Sequence, residues 1–179
     1  VEHILPHCQD ELKPEWQQTI RQLFDWHPEA MIARAQDANG FTLIHGDANG
    51  GNIFVPKVGD HPIYLVDRQP FDWSLTVWLG VYDLAYAIIP RWDVTIRRQC
   101  EEAILRHYHA CLLANGVHDY SWAQLWDYYR LSAAINIYVA LEWCRGAYHE
   151  ETRRYWLPML QRSLKAFDAL ECAHYRKSR

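Results

Sequence analysis

The chain has 179 residues, half of them apolar, with 18 basic and 22 acidic side chains and a net charge of −4. This length suits one domain with a sizeable core, and the acidic balance argues against a general nucleic-acid binder, which would be basic. The five cysteines form no CxxC pair, and no apolar run is long enough to span a bilayer. We therefore expect a cytoplasmic protein with reduced thiols, no membrane partner and no nucleic-acid partner.

The first elements in chain order are predicted to be helical. Apolar residues recur at near-helical spacing from about Glu15 to His27. A second short helix is expected over Pro28 to Gln36, with the proline in its first turn, before Asn39-Gly40 breaks it. These segments carry no recognisable nucleotide chemistry, so we expect them to pack beneath the loop that follows.

A polar loop at residues 45–52 lies between two apolar segments. It holds His45, Asp47 and Asn52, and the apolar Ile53-Phe54-Val55 follows directly. Because buried polar groups need partners, three of them in one loop indicate a constructed site rather than packing.

The segment after this loop is predicted to be a β-hairpin. Residues 53–55 and 63–66 are apolar, and the turn between them contains Gly59 and two prolines. Asn52 precedes the first strand and Asp67 follows the second. In an antiparallel pair these positions lie at the same end, so Asp47, Asn52 and Asp67 can converge.

A predicted irregular loop over residues 68–79 leads to a short apolar helix from about Gly80 to Ile89, which Pro90 stops. The charged residue of this helix is Asp83. A carboxylate in such an apolar helix must be paired or hydrogen-bonded.

The remainder is predicted to be helical. Asp93 is expected to cap a helix running to about Ala114, with Asn115-Gly116 as its stop. Ser121 and Gln124 fit a capping box for a long helix to about Cys144. A last helix is expected over roughly residues 150–172. The fold class is thus mainly α with a small β-hairpin (α+β), in a single domain over residues 1–179.

The polar residues suit phosphoryl transfer. This reaction needs a carboxylate to orient the attacking hydroxyl and accept its proton, and oxygen ligands for the magnesium that neutralises the phosphates. Asp47 suits the first role, and Asn52 and Asp67 suit the second, because magnesium prefers hard oxygen donors. Each residue also has a structural alternative: a satisfied core histidine for His45, a turn or cap for Asp47 and Asn52, and a strand-end cap for Asp67.

Three motifs resemble the aminoglycoside phosphotransferase and choline kinase family, whose members are related to protein kinases. The stretch from His45 to Val55 resembles the family's HGDxxxxN catalytic loop. Leu65-Val66-Asp67-Arg68-Gln69 resembles its metal-binding segment, and Tyr82-Asp83-Leu84-Ala85-Tyr86 resembles its "DLA" helix. The resemblance covers about residues 41–90 well, and the later helices are similar in kind to the family's helical substrate lobe.

The resemblance implies the C-terminal lobe of a protein-kinase-like fold, with a catalytic loop at 45–52, a metal-binding segment at 65–69 and a helical substrate subdomain at about 80–172. It implies an ATP- and Mg2+-dependent phosphotransferase that acts on a hydroxyl of a small molecule. Asp47 would be catalytic, Asn52 and Asp67 would bind the metal, and His45 and Asp83 would support the loop.

Two departures from the family pattern are visible. Arg68 stands where an aromatic residue usually follows the metal-binding aspartate. The nucleotide-binding lobe is also missing, because the chain has no GxGxxG loop and no lysine on a strand followed by a helical glutamate. The expected partners are therefore a hydroxyl substrate and an N-terminal lobe of the same protein. The alternatives are a non-catalytic kinase-like scaffold or binding module and, in third place, a metal-dependent hydrolase.

Overall fold

The computed structural model describes residues 4–67, 75–146 and 150–177, and these residues are mainly helical, as expected. The helices are α1 (Pro14–Ala35), α2 (Val81–Ile88), α3 (Val94–Ala114), α4 (Trp122–Gly146) and α5 (Glu150–Ala169), with 3₁₀ turns at Leu5–His7, Gln9–Glu11 and Cys172–Lys177. The strands are β1 (Phe41–Ile44), β2 (Ile53–Phe54), β3 (Tyr64–Leu65) and β4 (Thr76–Leu79). Within the described ranges they form two antiparallel pairs, β1–β4 and β2–β3.

Helix α4 is the centre of the core. Its buried side chains recur every three or four residues, and it packs against α2 on one side and α5 on the other. Small residues such as Ala133 and Ala140 are fully buried, and their size lets the neighbouring helices approach closely. The larger buried residues of this stripe are Leu125, Tyr129, Ile137 and Cys144.

Helices α3 and α4 begin at the predicted caps. The Asp93 carboxylate accepts a hydrogen bond from the Thr95 backbone N–H at 2.8 Å. Ser121 and Gln124 form the reciprocal capping box, with the Gln124 N–H donating to Ser121 Oγ at 3.2 Å and the Ser121 N–H donating to Gln124 Oε1 at 2.9 Å. These contacts are local in sequence, which is why the sequence revealed them.

The two helices expected near the N-terminus are one. Helix α1 continues through Pro28 without a break. A proline inside a helix removes a hydrogen bond, but the buried stripe of α1 extends from Trp16 to His27, and packing of that stripe against the core outweighs the loss. Helix α5 likewise contains a proline, Pro158. It was expected to end near residue 172 but ends at Ala169, and Glu171 just after it adopts a positive φ of 53°.

The segment expected to be an irregular loop, 68–79, ends in a strand. Residues 68–74, including Arg68, lie outside the described residues, but Thr76–Leu79 is β4 and pairs with β1 in the register Phe41↔Leu79 to Ile44↔Thr76. Strand β4 leads through Gly80 into α2. A Cβ at Gly80 would lie 2.5 Å from the Tyr108 hydroxyl and 3.0 Å from a Thr42 methyl, so any larger residue here would have to displace the Tyr108 side chain.

The hairpin β2–β3 has the expected pairing, Ile53↔Leu65 and Phe54↔Tyr64. Unlike the helices, it exposes its apolar side chains to solvent. The exposed residues of the hairpin and its turn include Phe54, Val55, Val58, Ile63, Tyr64 and Leu65. Adjoining exposed apolar side chains are typical of a surface that binds another molecule or chain segment.

A buried ion pair within α3 is linked to α4 by a hydrogen bond from Tyr129. The Arg97 side chain is 1% exposed, and its Nη1 lies 2.5 Å from Glu101 Oε2. The Tyr129 hydroxyl donates to the same Glu101 oxygen at 3.1 Å, and burial raises the pKa of Tyr129 well above its ordinary value. All five cysteines are free, and no helix within the described ranges has the length and apolarity to cross a bilayer.

Candidate functional site

The loop after β1 is anchored by Asp83, which lies in the first turn of α2. Its Oδ2 accepts from the backbone N–H of His45 at 2.7 Å, and its Oδ1 accepts from the N–H of Gly46 at 2.9 Å. Gly46 has a φ of +81°, a conformation that glycine adopts without strain. Both carboxylate oxygens therefore fix the backbone where the loop turns away from the strand. The Asp83 carboxylate, which was expected to need partners, has two backbone N–H donors.

The His45 ring links this loop to the hairpin. Its Nδ1 accepts from the backbone N–H of Asp47 at 3.2 Å, and its Nε2 lies 2.9 Å from the Val66 carbonyl oxygen. Because a backbone N–H can only donate, Nδ1 must be the unprotonated nitrogen, so Nε2 carries the proton and donates to Val66. The ring is buried, which favours the supporting role.

Two asparagine side chains hold the Asp47 carboxylate. The Asn52 amide nitrogen donates to Asp47 Oδ2 at 3.0 Å and to the Asp47 carbonyl at 2.9 Å. The Asn49 amide nitrogen donates to Asp47 Oδ1 at 3.0 Å. Each carboxylate oxygen thus has one amide donor, which fixes the orientation of the carboxylate and leaves lone pairs for a further donor.

Asp67 lies beside this group at the end of β3. The residue before it, Val66, donates its N–H to the Asn52 carbonyl at 2.9 Å and accepts from His45 Nε2 through its own carbonyl. These two bonds hold the backbone next to Asp67 against the loop. The Asp67 φ of +59° is uncommon for a residue with a side chain, and such conformations concentrate at functional sites. The Asp67 side chain is exposed.

Two tyrosines of α2 form the wall behind Asp47. Tyr82 and Tyr86 stack with ring centroids 6.0 Å apart. Burial and the interaction with the Asp47 carboxylate raise the pKa of Tyr86 to about 12. Burial, with smaller contributions from Tyr86, Asp83 and Asp47, raises the pKa of Tyr82 well above its ordinary range. Both phenols therefore remain protonated near neutral pH.

Asp47 opens into a cleft of about 1,110 Å³. Its walls come from α1, α2, α4, β4 and the loop after β1, and aromatic rings such as Phe24, Trp78, Tyr138 and Trp143 contribute much of the lining. Ligand pockets commonly have volumes of about 300–1,000 Å³. The cleft is therefore large enough for a small-molecule substrate whose reacting group meets Asp47.

The oxygen donors near the loop suit a hard cation. Both hydrogens of the Asn52 amide are directed at Asp47 atoms, which leaves its Oδ1 for coordination. The Asp67 carboxylate follows two residues after the end of β3. Among the described residues no cluster of three His, Cys, Asp or Glu side chains could hold a metal by itself. This donor set fits magnesium, which binds through one or two carboxylates and keeps its remaining positions for water and phosphate.

The structure brings together the loop residues predicted from the sequence, His45, Asp47 and Asn52, with Asp83, and it places Asp67 at the adjoining strand end. Sequence reasoning missed Asn49 and Tyr86. The i, i+2 spacing of Asp47 and Asn49 is a signal for Asn49, since short polar side chains bond their own loops at this spacing. Comparisons with family models, curated proteins and solved structures find no match.

Proposed function

We propose that this protein is an ATP- and magnesium-dependent phosphotransferase that acts on a hydroxyl group of a small molecule. The observation that carries the proposal is the Asp47 carboxylate, which Asn49 and Asn52 orient at the wall of a large cleft. Phosphoryl transfer relies on positioning and electrostatic stabilisation more than on covalent catalysis, and an oriented carboxylate beside hard oxygen donors is what it requires.

Asp47 has the role of general base. A substrate hydroxyl entering the cleft donates its hydrogen bond to a free lone pair of the carboxylate. The carboxylate aligns the oxygen for attack and accepts its proton as the new O–P bond forms, while the bond between the γ-phosphorus and the bridging oxygen of ATP breaks and ADP leaves. A positioned base typically contributes roughly 10²- to 10⁴-fold to the rate.

Asn52 and Asp67 have the role of metal ligands, through Asn52 Oδ1 and the Asp67 carboxylate. Bound magnesium supplies charge neutralisation for the nucleotide phosphates. His45 and Asp83 keep these residues in register, because His45 joins Asp47 to the Val66 carbonyl and Asp83 holds the backbone of the loop.

The test of the metal and nucleotide roles is calorimetric titration with ATP in the presence and absence of magnesium, on this chain and on a version extended upstream. We expect binding that requires magnesium and that Asp67→Ala weakens at least tenfold. Asp60→Ala is the matched control, because Asp60 is an exposed carboxylate in the turn of the same hairpin. Absence of ATP binding in both versions would refute the proposal.

The test of the base is phosphate transfer from ATP to a panel of alcohols. Asp47→Ala should lower the rate by roughly 10²-fold or more while the far-ultraviolet circular dichroism stays unchanged. Retained transfer by this variant would exclude Asp47 as the base.

The exposed apolar hairpin favours a second candidate, a kinase-like scaffold that binds a partner without catalysis. Phe54, Val58 and Tyr64 belong to this surface, and large exposed apolar patches mark interaction sites. Partner binding through the hairpin with no response to ATP, magnesium or substitution of Asp47 would favour the scaffold over the enzyme.

A further inference from the structure

The cleft carries information about the acceptor that the loop residues do not. Resting on the proposed function, we propose that the acceptor is a bulky, largely apolar alcohol containing fused or linked rings, rather than a polycationic, anionic or polyhydroxylated compound. The determinants are aromatic residues on α1, β4 and α4 that line the same cleft as Asp47.

The first argument is the nature of the walls. Apolar and aromatic residues make up most of the lining, with Phe24 and Tyr138 in edge-on contact at a centroid distance of 4.6 Å. The Tyr138 hydroxyl donates to the Leu23 carbonyl at 3.2 Å, so this residue presents its ring rather than its polar end. Flat apolar walls favour a ring system that can stack or pack edge-on and offer few partners to the many hydroxyls of a sugar.

The second argument is charge. Among the described residues that line the cleft there is no lysine, arginine or histidine, so nothing there would compensate an anionic acceptor. The carboxylates of this lining are Asp47, which the reaction uses, and Glu142 on α4. A compound with several ammonium groups would bury charges without partners, which is costly.

The third argument is size. The volume of about 1,110 Å³ lies slightly above the ordinary range of ligand pockets. A compact alcohol would leave much of the apolar wall in contact with water, whereas a ring-bearing alcohol covers it. Burial of that apolar surface is the main source of affinity available in this cleft.

The experiment is equilibrium dialysis of the full chain with two radiolabelled probes: testosterone, an uncharged four-ring alcohol, and kanamycin, a polycationic polyol. Trp143→Ala removes an aromatic wall that is 53% exposed, so the fold should tolerate it. The matched control is Tyr155→Ala, an aromatic residue on α5 that is 56% exposed and does not line the cleft. A second variant, Val139→Glu, adds a carboxylate to the wall.

We expect testosterone to bind more tightly than kanamycin. Its affinity should fall about tenfold in Trp143→Ala, as loss of a stacking aromatic wall implies, and stay unchanged in Tyr155→Ala. Val139→Glu should weaken testosterone and strengthen kanamycin. The inference is overturned by tighter binding of kanamycin to the unmodified chain, by no binding of testosterone, or by equal testosterone binding in the two alanine variants.

Dialysis needs neither ATP nor magnesium, so its result is separable from the phosphotransferase proposal. Testosterone binding that persists in Asp47→Asn, together with no phosphate transfer to any alcohol by the unmodified chain or by the version extended upstream, would keep the ligand class and refute the enzyme. Transfer of phosphate from ATP to kanamycin but not to ring-bearing apolar alcohols would support the enzyme and refute the ligand class.

Discussion

Substitution of Asp83 tests how the site is held together. In Asp83→Ala the backbone N–H groups of His45 and Gly46 lose the acceptors that now lie at 2.7 and 2.9 Å. Hydrogen bonds to a charged group are worth about 1.5–3 kcal/mol each, which gives about 3–6 kcal/mol for the pair. Because Asp83 is only half-buried, water replaces part of this loss, and we expect about 2–4 kcal/mol of destabilisation.

Asp83→Asn separates the two bonds. The asparagine oxygen can accept from one N–H, but its NH₂ group then faces the other, so one donor meets another donor. The expected loss is about 1.5–3 kcal/mol, smaller than for alanine. Helix propensity in α2 alone would predict the opposite order of stability for the two variants, because alanine is a better helix former than asparagine.

The assay is urea unfolding followed by tryptophan fluorescence, with the free energy of unfolding taken from the midpoint and slope. Asp60→Ala and Asp60→Asn are the controls, because Asp60 is an exposed aspartate in the hairpin turn. Midpoints of Asp83→Ala that match those of Asp60→Ala would show that the two backbone contacts contribute no stability, and the anchoring role would be wrong.

The remaining predictions concern three other buried groups. Burial lowers the pKa of His27 to about 4 from an ordinary value of 6.5, so the unfolded chain takes up a proton at a higher pH than the folded chain does. The free energy of unfolding should therefore be highest above pH 6.5 and about 3 kcal/mol lower at pH 4. Urea midpoints at several pH values should show this loss relative to His27→Gln, and parallel curves would contradict it. Tyr86→Phe removes the hydroxyl that interacts with the Asp47 carboxylate. If this hydroxyl helps to position the carboxylate, kcat should fall about tenfold with an unchanged acceptor KM, and an unaltered kcat would show that it does not. Glu101→Gln leaves the buried Arg97 charge without its counterion and should cost about 3–5 kcal/mol in thermal or urea unfolding, whereas a change below 1 kcal/mol would mean that water solvates the guanidinium.

Features with local causes were predicted from the sequence. The caps at Asp93 and Ser121 each depend on residues two or three positions away, and the hairpin is set by two apolar runs around a turn. Strand β4 was not predicted, because its pairing partner lies more than thirty residues earlier and its sequence shows no polar–apolar alternation. The continuity of α1 through Pro28 was missed for a related reason: tertiary packing, not local propensity, determines it.

The site divides in the same way. The sequence predicted that Asn52 and Asp67 lie at the same end of the hairpin, because antiparallel pairing fixes which strand ends meet. For Asp83 the residues alone predicted a need for partners, and the family resemblance implied that it supports the loop. Which backbone groups it would bond was not predicted, because that depends on how α2 packs against the loop. Tyr86 and the cleft walls depend on how α1, α2 and α4 pack, and no spacing rule within one segment encodes that arrangement.

The two faces of α4 bear on how this protein can evolve. Ile135, Val139 and Trp143 recur every four residues and line the cleft, whereas Ile137 and Cys144 point into the core and are fully buried. Selection for a new ligand can therefore act on one stripe without disturbing the other, so a lineage can change what the cleft accepts at little risk to folding. Homologous chains should diverge along the first stripe faster than along the second.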